Sequence, residues 1–154
     1  MIHTKRISGD TVDILIEEVH HRSDAVPYDV IDYGIYLHGT NTRIGYCDLR
    51  VGMNRELLYA GNIGYRIHVS YQGHGYAYDA TKLLLQEAAS SYEMKYVVIT
   101  CSPDNIPSKR TLERLQGKFV NEVNVPKDHW LYQRGETVKD IYYFDLEGGY
   151  EMVG

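Results

Sequence analysis

Residues 62–91 read NIGYRIHVSYQGHGYAYDATKLLLQEAASS, and this stretch decides the fold. From Asn62 to Val69, the apolar Ile63, Tyr65, Ile67 and Val69 alternate with Gly64, Arg66 and His68, the two-residue period of a strand. Further on, Ala77, Ala80, Leu84 and Ala88 recur at helical spacing, with Asp79, Lys82 and Gln86 on the other side. Between strand and helix lies Gln72-Gly73-His74-Gly75-Tyr76-Ala77, a turn bearing two glycines. The first turn of a helix has amide hydrogens without intrahelical partners and carries partial positive charge, so it stabilises an anion. Glycine lets a phosphate approach the backbone with no Cβ in the way. The turn therefore suits a pyrophosphate cradle made of main-chain N–H groups. It equally suits a plain strand-to-helix connection whose glycines only meet dihedral requirements.

Gln72, Gly75 and Ala77 match the Q/R-x-x-G-x-G/A signature of the GNAT superfamily of acetyl-CoA-dependent N-acetyltransferases. Downstream, Asn105 and Ser108 match its N-x-x-A/S element, and the resemblance runs from about Tyr33 to Leu146. It implies an α/β fold of GNAT type: a central, mostly antiparallel sheet with two splayed parallel strands and flanking helices. The splayed strands would be Asn62–Val69 and Tyr96–Cys101. By the same resemblance, Ile67 and Val69 would contact the pantetheine arm of acetyl-CoA through their backbone. Gln72, Gly73, His74, Gly75, Tyr76 and Ala77 would hold the pyrophosphate, Asn105 would bond the pantetheine, and Ser108 would lie beside the cofactor. From the residues alone, Asn105 and Ser108 also read as helix caps.

The reaction that the resemblance implies is direct attack of a primary amine on the acetyl thioester. Orientation and an oxyanion donor, here the Val69 backbone N–H, would carry most of the catalysis. Many family members place a tyrosine on the helix after the Asn and a glutamate early in the signature strand. This chain has Leu112 at the first place and Ile63-Gly64 at the second. His68, His129, Tyr132 and Glu56 are the remaining candidates for acid and base. The alternative function is a CoA-binding sensor or regulatory module without transfer. A dinucleotide site is disfavoured, since no GxGxxG or matching acidic residue is present.

Working outward, 154 residues suit one domain over 1–154. The opening MIHTKRISGD is polar and no window approaches a membrane span, so a cytoplasmic protein is expected. A net charge of −5 argues against a nucleic-acid partner and suits a small-molecule or peptide amine. Cys47 and Cys101 fall in strand-like runs, and His20-His21 lacks ligand spacing, so neither a disulfide nor a metal is expected. Fifteen tyrosines against two phenylalanines suit half-buried strands, a wet pocket or a homodimer face.

Before the signature, Val12, Leu15, Ile16 and Val19 recur at helical spacing behind Asp10 and Thr11, which predicts a helix; Val12, Ile14 and Ile16 also alternate as in a strand. Asp32–His38 and Arg43–Val51 predict a hairpin across Gly39-Thr40-Asn41-Thr42. After it, Tyr96–Cys101 predicts a strand covered on both faces, followed by a helix capped at Asp104 or Asn105 and closed at Gly117. Phe119–Val125 and Ile141–Leu146 predict two more strands. His20–Tyr28, Gly52–Gly61 and the long Pro126–Val138 excursion are the candidate acceptor loops.

Overall fold

The computed structural model describes residues 5–150. Its elements are β1 (Arg6–Ser8), β2 (Val12–His20), β3 (Asp29–Leu37), β4 (Arg43–Val51), α1 (Arg55–Ala60), β5 (Ile63–Ile67) and α2 (Tyr76–Ser90). Then follow β6 (Tyr96–Cys101), α3 (Ile106–Arg114), β7 (Lys118–Asn124), α4 (Trp130–Gln133) and β8 (Val138–Asp145). Strands β1 to β5 pair in sequence order as one antiparallel sheet, and β6, β8 and β7 form a second, also antiparallel.

Asn62, fully buried, joins the two sheets. Its backbone N–H donates to Val98 O at 2.6 Å, and its side-chain oxygen accepts from the Val98 N–H at 2.8 Å. Its amide nitrogen donates to the carbonyls of Arg50 and Gly52 at 2.9 and 2.7 Å. Beyond that point no ladder links β5 to β6 among the described residues, so the two strands run from the Asn62 contact into a common cleft. This is the arrangement of two splayed strands expected from the signature.

Helix α2 covers the five-stranded sheet because Ala80, Leu84, Leu85 and Ala88 share one face and are fully buried. Each buried Leu contributes roughly 1.5–3 kcal/mol. The same buried cluster continues from Val12 in β2 through Val97 and Ile99 to Phe144 and Leu146, so both sheets share one core. Among the described residues no helix is long and apolar enough to cross a membrane.

One expectation is corrected: residues 12–20 form a strand and not a helix. Val12 and Ile14 are fully buried while Val19, on the expected helical stripe, is exposed. The stretch is rich in Val and Ile, which lose side-chain freedom in a helix. As a strand it finds partners on both sides, and it places Asp13 where Arg6, His38 and the Gly39 N–H all bond its carboxylate. Consequently no helix precedes α1 among the described residues, and the loop after β2 ends at the buried Tyr28, which meets Glu56 of α1. At the end of α3 the positive φ of 67° falls on Gln116 and not on Gly117. Gly117 is held instead by crowding, since a Cβ there would sit 2.5 Å from the Phe144 ring. The 126–138 excursion contains the single-turn helix α4.

Candidate active site

After β5 the chain makes one tight turn over Val69–Tyr71, and the Gln72 side-chain amide donates back to Ile67 O at 2.9 Å. Gly73 and Gly75 then adopt φ of 86° and 78°, left-handed values that favour glycine. Gly75 is the N-cap of α2, so no side chain caps that helix start. A Cβ built on Gly73 or Gly75 meets nothing within 4 Å, which places the backbone of the turn against open space. The result is a set of outward N–H groups at the positive end of a 15-residue helix.

That turn forms one wall of a cavity of about 600 Å³. The cavity is lined besides by Asn105, by α3 as far as Arg114, and by Tyr65–Ile67 of β5. Eight of the ten residues expected to hold the cofactor line it, the exceptions being Val69 and His74. Val69 is 80% exposed in the tight turn, and His74 is exposed with its ring 5.4 Å from that of Tyr76. Arg114, which the sequence did not single out, places its guanidinium 4.2 Å from the Tyr78 ring centroid on the cavity wall. Asn105 does cap α3, accepting from the Ser108 N–H at 3.2 Å, and both residues also face the cavity.

A second cavity, of about 280 Å³, opens where β5 and β6 diverge. Tyr65, Asn105 and Ser108 line both, so they form the partition between the two spaces. In that partition the Tyr65 hydroxyl donates to Ser108 Oγ at 3.3 Å. Burial raises the Tyr65 phenol above its ordinary pKa, against a lowering by Ser108, so it keeps its proton at neutral pH. Cys101 lies on the same wall, and its thiol is pushed up to about 11, by burial first and then by Asp140. It is therefore a neutral thiol and a poor nucleophile.

The far side of the second cavity comes from the 126–138 excursion, through Trp130, Leu131, Arg134 and Glu136. His129 is buried, and both ring nitrogens are committed: Nδ1 accepts from the Leu131 N–H at 3.1 Å, which leaves Nε2 to donate to Glu56 O at 3.0 Å. Its place is thus that of a cap and brace for α4, not of a base. Glu56 accepts from the Trp130 indole N–H at 2.6 Å and so positions a cavity residue without lining the cavity itself. His68 and Tyr132 line neither cavity. Of the acid and base candidates, then, the structure brings none directly to the cleft. It brings Tyr65 instead, which the strand alternation displayed only as one more apolar position. Away from both cavities, Glu18, His20 and Asp32 gather three possible ligand atoms within 4.8 Å, but His20 is already bonded to Asp32 at 2.9 Å.

Comparison with known proteins agrees with this geometry. A family model described as an acetyltransferase (GNAT) domain matches residues 7–118. The uncharacterized N-acetyltransferase YjdG of Bacillus subtilis is 31% identical over 70 residues, 46% of this chain and 41% of YjdG, so the match spans less than half of that relative. The structure of a GNAT-family acetyltransferase from Bacillus anthracis shares the fold with a TM-score of 0.67 at 19% identity, covering 92% of this chain and 98% of that one. Mycobacterium smegmatis RimJ, solved in complex with CoA-disulfide, shares it with a TM-score of 0.60 at 18% identity over 77% of this chain and 54% of RimJ. The chain belongs to the GNAT acetyltransferase family.

Proposed function

We propose that this chain transfers the acetyl group of acetyl-CoA to a primary amine by direct attack. The observation that carries it is the pair of cavities meeting at the Tyr65–Ser108 partition, one shaped for a phosphate-bearing ligand and the other open to an acceptor. The residues present fit CoA: uncapped N–H groups of α2, open space before Gly73 and Gly75, and Arg114 beside them. When bound, acetyl-CoA supplies the activated acyl group.

The chain's own groups do the rest. The α2 amides and Arg114 hold the pyrophosphate, while Asn105 and the end of β5 align the pantetheine arm toward the partition. Aligning thioester and amine in adjoining cavities removes much of the entropic barrier. Cys101, being protonated, leaves the amine as the nucleophile and gives no acyl-enzyme. Glu136 is the carboxylate lining the second cavity, but it is ion-paired with Lys139, so the amine proton passes to solvent through the open side of the cavity. Tyr65, still protonated at neutral pH, donates to the departing thiolate in place of the helix tyrosine whose position Leu112 occupies. The buried Leu112 is also what favours the second reading, a CoA-binding module without transfer.

Free-thiol release over a panel of amines decides between them. Transfer predicts release by the wild type, and a Tyr65→Phe kcat reduced about 100-fold with acetyl-CoA affinity kept. Tight acetyl-CoA binding with no release from any amine establishes the module, and an unchanged kcat in Tyr65→Phe removes Tyr65 as the acid.

A further inference from the structure

We infer that the second cavity selects an amine that also carries a carboxylate, and that Arg134 is the residue that recognises it. This rests on the transferase reading above, because it assigns the acceptor of the same reaction.

The charges around the cavity do not balance. Its lining holds Arg50, Arg134 and Lys139 against the single carboxylate of Glu136. Arg50 is spent: its Nε is on Asp48 at 2.9 Å, and its Nη1 is on the carbonyls of Ala60 and Gly61 at 3.0 and 3.2 Å. Glu136 is closed onto the Lys139 ammonium at 2.6 Å, with Lys139 buried. Arg134 reaches Glu136 only at 3.8 Å, through Nε, and its side chain is 65% exposed. With Asp48 on Arg50 and Glu136 held most closely by Lys139, Arg134 is the lining cation least committed to a carboxylate.

That cation is preorganised. Its guanidinium lies 5.4 Å from the Trp130 ring centroid, and a guanidinium on an indole face keeps its outer N–H groups free for a planar anion. Trp130 is itself held, by Glu56 at its indole N–H and by the His129 ring stacked at 5.5 Å. Through His129 and Glu56 this platform is tied to α1, whose Ala60 also lines the cavity. The guanidinium fork matches a carboxylate bidentately. A volume of about 280 Å³ limits the occupant to a small molecule or a single terminal residue. The acceptor nitrogen then points toward the Tyr65–Ser108 partition while the carboxylate rests on Arg134.

Trp130 is the only tryptophan in the chain, so its fluorescence reports occupancy of this cavity independently of turnover. The experiment titrates CoA-loaded protein with ω-amino acids of two to six carbons and with the alkylamines of equal length, and measures thiol release with acetyl-CoA for each pair. The expected result is saturable change with the amino acids, and a preference in kcat/KM of at least about 10-fold over the alkylamines. Arg134→Gln should abolish that preference and Arg134→Lys restore part of it, both variants keeping the melting shift with acetyl-CoA. Equal saturation and turnover by the alkylamines overturns the inference and leaves the transferase reading standing. Saturation by the amino acids with no thiol released from any amine upholds the anion site and overturns transfer. No fluorescence change with either class overturns the inference.

Discussion

Gly75 sits at φ 78° and ψ 12°, capping α2 without a side chain, and the space in front of it is open. Two costs follow for any substitution: backbone strain in the left-handed region, and a Cβ where a phosphate would come. Asn tolerates the left-handed region, whereas Val does not. Gly75→Asn is therefore expected to fold nearly as well as the wild type yet bind acetyl-CoA at least about 10-fold more weakly, and Gly75→Val to lose both stability and binding. Calorimetric titration of Gly75→Asn checks this, and unchanged affinity removes the cradle. The turn was legible in the sequence because what glycine supplies is local. Tyr65 and Arg114 were not legible as site residues, since what each does depends on a partner far along the chain, Ser108 for Tyr65 and Tyr78 for Arg114.

Strand β2 shows how an element escapes its own periodicity. Its apolar residues satisfy both a helical and an alternating template, and only pairing with β1 and β3 chooses between them. The signature strand and helix, the β3–β4 hairpin and β6 carried unambiguous patterns, and there the sequence and structure agree within a few residues. Helix α4 was hidden in the long excursion because it is a single turn that buries only Leu131 and is held besides by His129 and the Glu56 carbonyl, too short to display a period. Asp13 makes the choice of strand measurable. Burial alone would raise its carboxyl, but hydrogen bonds from the Gly39 N–H, His38 and Arg6 outweigh that and hold it at about 2, below the ordinary 3.8. A depressed carboxyl contributes stability that is complete above about pH 4 and lost as pH falls through 2, because the unfolded chain binds the proton first. The wild type should lose about 2 kcal/mol across that window on Asp13's account, and Asp13→Asn should lose that part of the acid slope while being less stable at neutral pH. Identical slopes in urea titrations at pH 2 to 5 would show that Asp13 does not carry the effect.

Across the whole molecule, the architecture follows from a single interruption. Two antiparallel sheets share one core, yet among the described residues no ladder joins β5 to β6, whose backbones are hydrogen-bonded at Asn62 and Val98, and the gap beyond is the candidate site. The gap joins a wall of backbone amides to a wall built by the 126–138 excursion, so one side can hold a phosphate-bearing cofactor and the other an acceptor. Family membership gives the first half of that division, whereas the acceptor wall belongs to this chain's own residues. The most direct measurement is the melting midpoint with acetyl-CoA, CoA, NAD or ATP present at about 100 times the dissociation constant expected for a bound cofactor. Acetyl-CoA and CoA should each add ~2.7 kcal/mol to the folded state and raise the midpoint by roughly 5–10 °C, with NAD and ATP doing far less. A midpoint unmoved by either CoA compound would contradict the cleft as a cofactor site, and with it the transfer reaction.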